Sequence, residues 1–340
     1  MDEKRKIVFN QETEEDQVYS LSLRPSSVAE FVGQKDVVAN LLVSLKAAKQ
    51  RKEPIEHMLF SGPPGLGKTS LANIVAHEME ARLTITSGPA IDRAGDLIGI
   101  LTNLEAGDIL FIDEIHRLSK AVEEFLYPAM ESFKIDFTVD KGPYARTINF
   151  NLKPFTLIGA TTRSGLLSSP LRDRFGIFYH LEFYAAEELS EIVMRSAKKL
   201  NVDIDPASAA EISRRARGTP RIANRLLRRV RDYAQVKAPN RAVTKTVVDE
   251  AMQTLRIDPS GLDDIDRKLL KAIYENYNGG PVGVETLAAT LNEEVDTLVD
   301  VIEPYLLKIG FLKRTPRGRE LTDLSVRHIR GVSSPDLFQK

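Results

Sequence analysis

Short apolar runs alternate with stretches of helical periodicity along the first half of the chain. Three short apolar runs, at residues 58–60, 109–112 and 155–159, are typical of buried strands of a parallel sheet. The β-branched residues 83–86 predict a further short strand. Between the runs, apolar residues recur every three or four positions, as in helices that pack on a sheet. Residues 21–184 are therefore predicted to form a doubly wound α/β domain with a parallel sheet.

The pattern changes after residue 184 and becomes mostly helical. Apolar stripes at helical spacing lie within residues 189–197, 206–212, 222–236 and 243–257. These stripes predict a small helical domain over residues 185–257. The sequence Asp-Pro-Ser-Gly that follows, at residues 258–261, is typical of a linker.

A third domain is predicted beyond this linker. Three further apolar stripes precede a short alternating segment, residues 310–321, whose centre is basic and contains proline and glycine. Three helices followed by a basic hairpin are typical of a winged helix-turn-helix, which we assign to residues 258–340. The polar residues 1–20 are assigned to an N-terminal arm.

A second alternating segment lies inside the α/β domain. Residues 134–152 alternate apolar and polar positions on both sides of a Gly-Pro pair, which predicts a β-hairpin. The sequence leaves two roles open for its apolar face. It can bind a partner, or it can be buried against its own domain.

Residues 62–69, Gly-Pro-Pro-Gly-Leu-Gly-Lys-Thr, fit the pattern G-x-x-x-x-G-K-[ST] of a phosphate-binding P-loop. Glycines allow positive φ and let the backbone approach phosphates closely. Lys68 supplies a charge for the β- and γ-phosphates, and the Thr69 hydroxyl can coordinate Mg²⁺. The alternative, an ordinary Gly/Pro turn, is disfavoured because a strand precedes the loop and a helix follows it. The motif predicts a nucleotide site that uses Mg²⁺.

Two carboxylates, Asp113 and Glu114, end the most apolar run. The C-terminal end of a central parallel strand is where ligands bind in such folds. One carboxylate there can hold Mg²⁺ through water, and the other can deprotonate a water that attacks the γ-phosphate. The next run ends at Thr161 and Thr162, whose hydroxyls we expect beside the carboxylates. A solvated acidic turn is the alternative for the acidic pair.

Two arginines, Arg172 and Arg174, lie in a short helix predicted within residues 166–176. The planar guanidinium group suits the γ-phosphate of a nucleotide on a neighbouring subunit. The alternative is a surface ion pair with Asp173. Without other context, the residues favour the ion pair.

Composition adds limits to this picture. With 340 residues, two or three domains are expected, and 42% hydrophobic and 28% charged residues are ordinary for a globular chain. The absence of cysteine excludes disulfides and thiolate metal sites. We expect a cytoplasmic protein without a signal peptide or membrane span, because no apolar run approaches about 18 residues.

Charge is concentrated locally although the net charge is only −1. Residues 212–241 contain ten lysines and arginines against the single acid Asp232. Such a stretch must face anions, which can be a nucleotide, acidic neighbours or nucleic acid. Residues 308–330 hold seven basic residues against two acidic ones, which favours contact of the predicted wing with DNA phosphates over a protein-docking role.

With these motifs in hand, the chain resembles the RuvB family of AAA+ ATPases, the bacterial Holliday-junction branch-migration motors. The resemblance covers roughly residues 20–330. It rests on the terminal wing and on nine shorter motifs, at residues 23–25, 30–34, 63–69, 111–118, 126–131, 154–163, 170–176, 181–184 and 218–221. The implied fold class is α/β, with a P-loop AAA+ ATPase domain, a helical lid domain and a C-terminal winged-helix domain.

The resemblance implies roles for individual residues, with ATP and Mg²⁺ as the cofactors. Leu23, Arg24 and Tyr184 would border the nucleotide. Thr69 and Asp113 would serve Mg²⁺, with Asp113 and Glu114 as the Walker B pair. The remaining assignments are Gly65, Gly67, Lys68, Thr69 and Ser70 for the phosphates, Thr162 as sensor 1, Arg174 as the trans-acting arginine finger, Arg221 as sensor 2, and Arg314 and Arg319 for DNA.

The resemblance also implies partners. The chain would form a homohexameric ring around duplex DNA and act as an ATP hydrolase that moves Holliday junctions. The hairpin at residues 134–152 would bind a RuvA-type junction-binding protein, and a RuvC-type resolvase would join the wider complex. No membrane partner is implied.

Two rival functions are weighed against this interpretation. A clamp-loader-like or protein-remodelling AAA+ ATPase would share the ATPase motifs, but the winged domain argues against it. A DNA-binding regulator that uses ATP only as an assembly switch would not need the base Glu114.

Overall fold

The structure is a computed structural model that describes residues 22–139, 146–238 and 242–331. These residues form two compact units. The α/β unit contains residues 24–62 and 66–182, and the helical unit contains residues 22–23, 63–65 and 183–331. The predicted N-terminal arm, the centre of the hairpin at 140–145 and the tail from 332 lie outside the described residues. The four-part domain division stays a prediction.

The α/β unit is built on a parallel sheet of five strands in the order β2-β3-β6-β1-β7. The strands of this unit are β1 (Met58–Ser61), β2 (Leu83–Ser87), β3 (Ile109–Asp113), β4 (Lys134–Val139), β5 (Arg146–Asn151), β6 (Thr156–Thr161) and β7 (Ile177–His180). All four predicted strands are present, and β2 lies at one edge of the sheet, with Ile85 exposed. The edge strand β7 has no counterpart in the prediction, because its apolar side chains are only partly covered and Phe178 is exposed.

Helices connect these strands, as the periodicity predicts. They are α1 (Lys35–Arg51), α2 (Lys68–Met79), α3 (Ala94–Thr102), α4 (Lys120–Ser132) and α5 (Ser169–Arg172). The start of α4 is fixed by Ser119, whose side chain accepts a hydrogen bond from the Val122 N–H. Short 3₁₀ turns complete the connections at Val28–Glu30, Gly88–Ala90, Ile115–Arg117 and Ser164–Leu166.

The core of the α/β unit surrounds β3 and β6. All six residues of β6 are buried, as are the first four of β3, which explains why both runs are nearly continuous in apolar residues. Packing leaves little room for a side chain at Gly159. A Cβ there would approach Phe175, Ile115 and Leu59 to 3.0, 3.1 and 3.1 Å.

The predicted hairpin is confirmed as an antiparallel pair of β4 and β5. Its apolar side chains share one face, because Ile135 is opposite Phe150 and Phe137 is opposite Ile148, but they are not equally covered. Ile135 is fully buried, and Phe137 and Phe150 pack against the core of the unit. Ile148 is 45% exposed. Burial against its own domain therefore accounts for part of the apolar pattern, and Ile148 lies outside that contact.

The helical unit begins with the four helices that the stripes predict. They are α6 (Ala186–Lys199), α7 (Pro206–Arg214), α8 (Pro220–Lys237) and α9 (Lys245–Thr254). The longest, α8, buries one apolar stripe that includes Leu226, Leu227 and Val230. Within the described part of the chain, no helix combines the length and apolar character needed to cross a membrane.

The predicted winged helix is confirmed in the remainder of this unit. Its elements are α10 (Asp264–Asn276), α11 (Val284–Leu291), α12 (Val295–Thr297), α13 (Glu303–Lys308), β8 (Leu312–Thr315), β9 (Gly318–Leu321) and α14 (Asp323–Ile329). The third predicted helix is divided, because a π-helical turn at Leu298–Ile302 separates α12 from α13. Strands β8 and β9 pair antiparallel and form the wing, which we define as residues 312–321.

The predicted linker at residues 258–261 is a tight turn. The Asp258 carboxylate accepts hydrogen bonds from the N–H groups of Ser260 and Leu262 at 2.9 and 2.8 Å. Gly261 has φ +77, and a Cβ at this position would lie 2.8 Å from the carbonyl oxygen of Arg215. The Pro/Gly signal therefore marks a turn packed against the preceding helices.

His57, the residue before β1, is held by backbone groups at both ring nitrogens. Its Nδ1 accepts a hydrogen bond from the Leu157 N–H at 2.8 Å, and its Nε2 lies 3.1 Å from the carbonyl oxygen of Met130. The ring is therefore neutral, with its proton on Nε2. Burial lowers the pKa of His57 below its ordinary value of 6.5.

We expect the free energy of unfolding to decrease as the pH falls below 6.5, because the unfolded chain then binds a proton that the folded His57 does not. Urea unfolding at roughly pH 7.5 and roughly pH 5.5 measures this difference. His57→Gln can keep both hydrogen bonds without titrating, so its pH dependence should be smaller. His57→Ala should lose about 1–3 kcal/mol at both pH values. An equal pH dependence in the parent and His57→Gln would contradict the assignment.

Candidate functional site

The phosphate-loop motif begins at the end of β1 with a position that only glycine fits. Gly62 has φ +133, and a Cβ there would collide with the carbonyl oxygen of Leu181. Gly67, with φ +104, immediately precedes α2, which contains the last two residues of the motif, Lys68 and Thr69. The first N–H groups of an α-helix lack intrahelical acceptors, so the start of α2 favours an anion.

Lys68 is folded back onto its own loop. Its Nζ donates a hydrogen bond to the carbonyl oxygen of Gly62 at 2.7 Å, and the side chain is buried. Thr69 and Ser70 occupy the next two positions of α2. The ammonium group is thus held at the mouth of the loop by a backbone contact, close to where the motif predicts phosphates.

The predicted meeting of hydroxyl and carboxylate is confirmed. Glu114 Oε2 accepts a hydrogen bond from Thr162 Oγ1 at 3.1 Å and lies 3.4 Å from the Thr162 backbone nitrogen. Strands β3 and β6 are neighbours in the sheet, so the residues that follow them reach the same edge. Asp113 ends β3, and its carboxylate accepts the Glu114 N–H at 3.0 Å.

His116 is a member of this cluster that the sequence reasoning missed. Its Nδ1 lies 3.2 Å from Glu114 Oε2 and 2.9 Å from Thr161 Oγ1. The side chain of His116 is buried. Glu114 has φ +47, a left-handed conformation that turns the chain back so that both side chains meet. The position of His116 two residues after Glu114 was the available signal.

Arg174 lies just after α5 and is held by three contacts. Its guanidinium carbon lies 4.4 Å above the ring of Tyr127, one nitrogen is 3.0 Å from Glu131, and another donates to the Pro170 carbonyl at 2.6 Å. The acidic partner is therefore on α4, whereas the sequence alternative named Asp173. Arg172 donates to the Ser164 carbonyl at 3.1 Å.

The helical unit carries the other predicted nucleotide residues. Arg221 lies in the first turn of α8, and its N–H donates to the Gly65 carbonyl at 3.4 Å. Tyr184 is buried, and its N–H donates to the Gly218 carbonyl at 2.9 Å. Leu23 is buried in the same unit, whereas Arg24 belongs to the α/β unit.

Acidic neighbours account for part of the basic stretch. Arg215 contacts Glu211 and Asp249, each at 2.7 Å. Arg217 makes a bidentate contact with Asp266 at 3.0 and 3.1 Å. The sequence left nucleotide, acidic neighbours and nucleic acid open as the anions that this stretch faces. For Arg215 and Arg217, the anions are acidic side chains of the same unit.

The two wing arginines share one buried carboxylate. Arg314 Nη2 lies 2.7 Å from Glu303 Oε2, and Arg319 Nε donates to Glu303 Oε1 at 2.7 Å. Arg314 remains about half exposed at its side chain, whereas Arg319 is largely covered. Lys313 and Arg317 are exposed. The wing therefore presents a basic surface on which an internal acid orients two of the cations.

The oxygen donors proposed for Mg²⁺ suit that ion. The Thr69 hydroxyl and the Asp113 carboxylate are hard oxygen ligands, and Mg²⁺ in phosphate sites keeps several waters and takes few protein ligands. No cluster of three or more histidine or acidic side chains that could hold a metal is found among the described residues. The donor set fits an ion that also binds phosphate oxygens.

Comparison with known families matches nearly the whole chain. Residues 23–181 match the Holliday junction DNA helicase RuvB P-loop domain, residues 184–258 the RuvB AAA lid domain, and residues 259–330 the RuvB C-terminal winged helix domain. The chain belongs to the RuvB family. The resemblance inferred from the motifs and the predicted fold class are both confirmed.

Solved structures of Thermotoga maritima RuvB are similar over most of the chain. The Thermotoga maritima RuvB Holliday junction branch migration motor is 51% identical, with a TM-score of 0.84 over 92% of this chain and 100% of that chain. A mutant of Thermotoga maritima RuvB is 52% identical, with a TM-score of 0.85 over 92% of this chain and 99% of that chain. RuvB proteins are P-loop AAA+ ATPases.

We expect Gly62→Ala to destabilise the α/β unit by about 1–3 kcal/mol, because the alanine would have positive φ and its Cβ would collide with the Leu181 carbonyl oxygen. Gly107→Ala is the matched control, since Gly107 has φ +87 but a Cβ added to it would meet no atom within 4 Å. The control should lose only about 1 kcal/mol. Chemical unfolding measures both losses. A loss in Gly62→Ala no larger than in the control would contradict the collision.

Proposed function

We propose that this protein is an ATP-driven motor that branch-migrates Holliday junctions in recombination and DNA repair, pulling duplex DNA through a homohexameric ring. The observation that carries the proposal is the contact between Glu114 and Thr162. It lies at the edge of the sheet where the P-loop follows the end of β1. Membership of the RuvB family and the basic wing support the same function.

The phosphate contacts are assigned to the P-loop. Gly65, Gly67 and Ser70 would offer backbone or hydroxyl groups to ATP, and the Lys68 ammonium would donate to the β- and γ-phosphates. Thr69 and Asp113 would hold Mg²⁺, which when bound neutralises phosphate charge. Leu23, Arg24 and Tyr184 are assigned to the border of the nucleotide, as the resemblance implies.

Glu114 is assigned as the general base. Its carboxylate takes a proton from a water whose oxygen attacks the γ-phosphorus, while the bond between that phosphorus and the β–γ bridging oxygen breaks and ADP leaves. The Thr162 hydroxyl and His116 orient the carboxylate, because both lie within hydrogen-bond distance of Glu114 Oε2. Thr162 is therefore assigned as sensor 1 and His116 as a positioning residue.

Two arginines are assigned to the charge that develops on the γ-phosphate. Arg174 would act on the nucleotide of a neighbouring subunit, and Arg221 on the nucleotide of its own chain. The stack on Tyr127 and the ion pair with Glu131 hold the Arg174 side chain in one orientation. That preorganisation favours a role that needs a fixed guanidinium position.

DNA and protein partners complete the proposal. Arg314 and Arg319 would contact DNA phosphates, which position a protein without reading sequence. The hairpin at residues 134–152, where Ile148 is exposed, would bind a RuvA-type protein, and a RuvC-type resolvase would join the wider complex. The cytoplasm is the proposed location.

The function is tested by the ATPase rate with and without duplex and four-way-junction DNA, together with junction dissociation in the presence of a RuvA-type partner. DNA stimulation with ATP-dependent junction dissociation is the expected result. ATPase activity without any response to DNA would shift the function to protein remodelling. Glu114→Gln in the same assays should bind ATP but hydrolyse it about 10²–10⁴-fold more slowly. Turnover at the parent rate would refute Glu114 as the base.

Arg174→Ala should bind ATP while losing about 10³-fold or more in turnover, if the arginine completes a neighbouring subunit's site. A mixture of Arg174→Ala with Glu114→Gln subunits tests this arrangement. The Glu114→Gln subunits carry an intact Arg174, and the Arg174→Ala subunits carry an intact base. We expect partial recovery of hydrolysis in the mixture. No recovery would argue against action between subunits.

A further inference from the structure

The short helix α13 contacts the wing and also the segments that precede two predicted nucleotide residues, Arg221 and Tyr184. Its first residue, Glu303, accepts a hydrogen bond from Arg319 of the wing, and its third residue, Tyr305, packs against Arg217. Its last residue, Lys308, stacks on Phe183, with its Nζ 4.5 Å from the ring centre. Six residues thus connect the wing with the segments that precede Arg221 and Tyr184.

The contact at the wing end depends on a buried charge. Glu303 is 0% exposed, and both of its oxygens are bonded by guanidinium groups at 2.7–3.2 Å. A buried carboxylate that lost these partners would remain desolvated and unpaired, which is strongly unfavourable. Glu303 therefore fixes where Arg314 and Arg319 lie relative to α13.

The contact at the other end is also charged and buried. The Arg217 guanidinium lies 4.9 Å from the centre of the Tyr305 ring and bonds both oxygens of Asp266, which is 0% exposed. The Tyr305 hydroxyl donates to the Ser260 carbonyl at 2.7 Å. One arginine therefore joins α10 and α13 of the winged helix to the segment before α8.

Arg217 and Arg221 share a stiff connection. Arg217 has φ +57 and Gly218 has φ +73, so the chain turns sharply between them and α8. A Cβ at Gly218 would meet the Lys308 ammonium and come within 3.1 Å of Phe183. Thr219 then caps α8 by accepting the Ile222 N–H at 3.4 Å. The segment between Arg217 and Arg221 is therefore closely constrained by its neighbours.

We propose that α13 couples the segment 217–221 to the wing, with Arg217 and Glu303 as positioning residues at its two ends. In the terms of the proposed function, on which this inference rests, the coupling makes a shift of Arg221 move the DNA-contacting arginines. The helical unit then transmits motion as one body, because breaking either charged contact would leave a buried carboxylate unpaired.

A distance measurement tests the coupling independently of the reaction. The chain contains no cysteine, so Val236→Cys on α8 and Lys313→Cys on the wing provide two unique sites for spin labels. We expect one narrow distance distribution in the parent. Arg217→Lys keeps the charge beside Asp266 but loses the planar fork, and Glu303→Gln removes the shared charge. Each should broaden the distribution.

Matched controls make the same chemical changes elsewhere in the unit. Arg256→Lys alters an exposed arginine paired with Asp264, and Glu275→Gln alters an exposed acid of α10. Both should keep the parent distribution. If Glu303→Gln fails to fold, Arg319→Gln cuts the same link from the wing side and is measured in its place. If either the Arg217→Lys variant or the Glu303→Gln variant keeps the distance distribution of the parent, the proposal is overturned.

The second readout is the ratio of ATPase rates with and without saturating duplex DNA. We expect Glu303→Gln to keep the DNA-free rate and to lower this ratio by at least about fivefold, the lower end of typical coupling factors. An unchanged ratio in a variant with a broadened distribution would overturn the coupling role. If duplex DNA does not stimulate the ATPase rate of the parent protein, the proposed function is refuted. The distance measurement would still decide whether α13 links the wing to the segment 217–221.

Discussion

The pairing of β3 with β6 is the constraint on which the rest of the α/β unit depends. Both strands are buried on both faces, so their register is fixed by packing and cannot slip without exposing apolar residues. That register delivers Glu114 and Thr162 to one edge of the sheet. The close approach of Phe175 and Ile115 to Gly159 shows how little room remains for any other arrangement.

Features that depend on local patterns could be predicted from the sequence. The central strands, the helices and the phosphate-loop motif follow from periodicity and from residues adjacent in the chain, and the Glu114–Thr162 contact follows from parallel topology. The edge strand β2 was predicted from its β-branched residues, whereas β7 was missed because it has one β-branched residue, Ile177, and one buried side chain, Tyr179. His116 was missed because its contact depends on the left-handed backbone at Glu114, which a glutamate rarely adopts.

Contacts between distant charged residues could not be predicted in the same way. Charge counting showed that residues 212–241 must face anions, but it could not select Asp266 for Arg217, 49 positions away. The wing presents the same difficulty. Arg314 and Arg319 were assigned to DNA by resemblance, and nothing in the periodicity indicates that Glu303 contacts both. Such pairs depend on tertiary packing, which brings together residues that single-sequence patterns treat separately.

The contact between Lys68 and the Gly62 carbonyl has a consequence for ligand binding. An ammonium group carries three N–H donors, so one bond to a carbonyl oxygen fixes the position of the charge without using up its capacity to bond phosphate oxygens. The cation is therefore held in place before a ligand arrives. A phosphate group that binds the loop does not have to order this side chain, which lowers the conformational-entropy cost of binding.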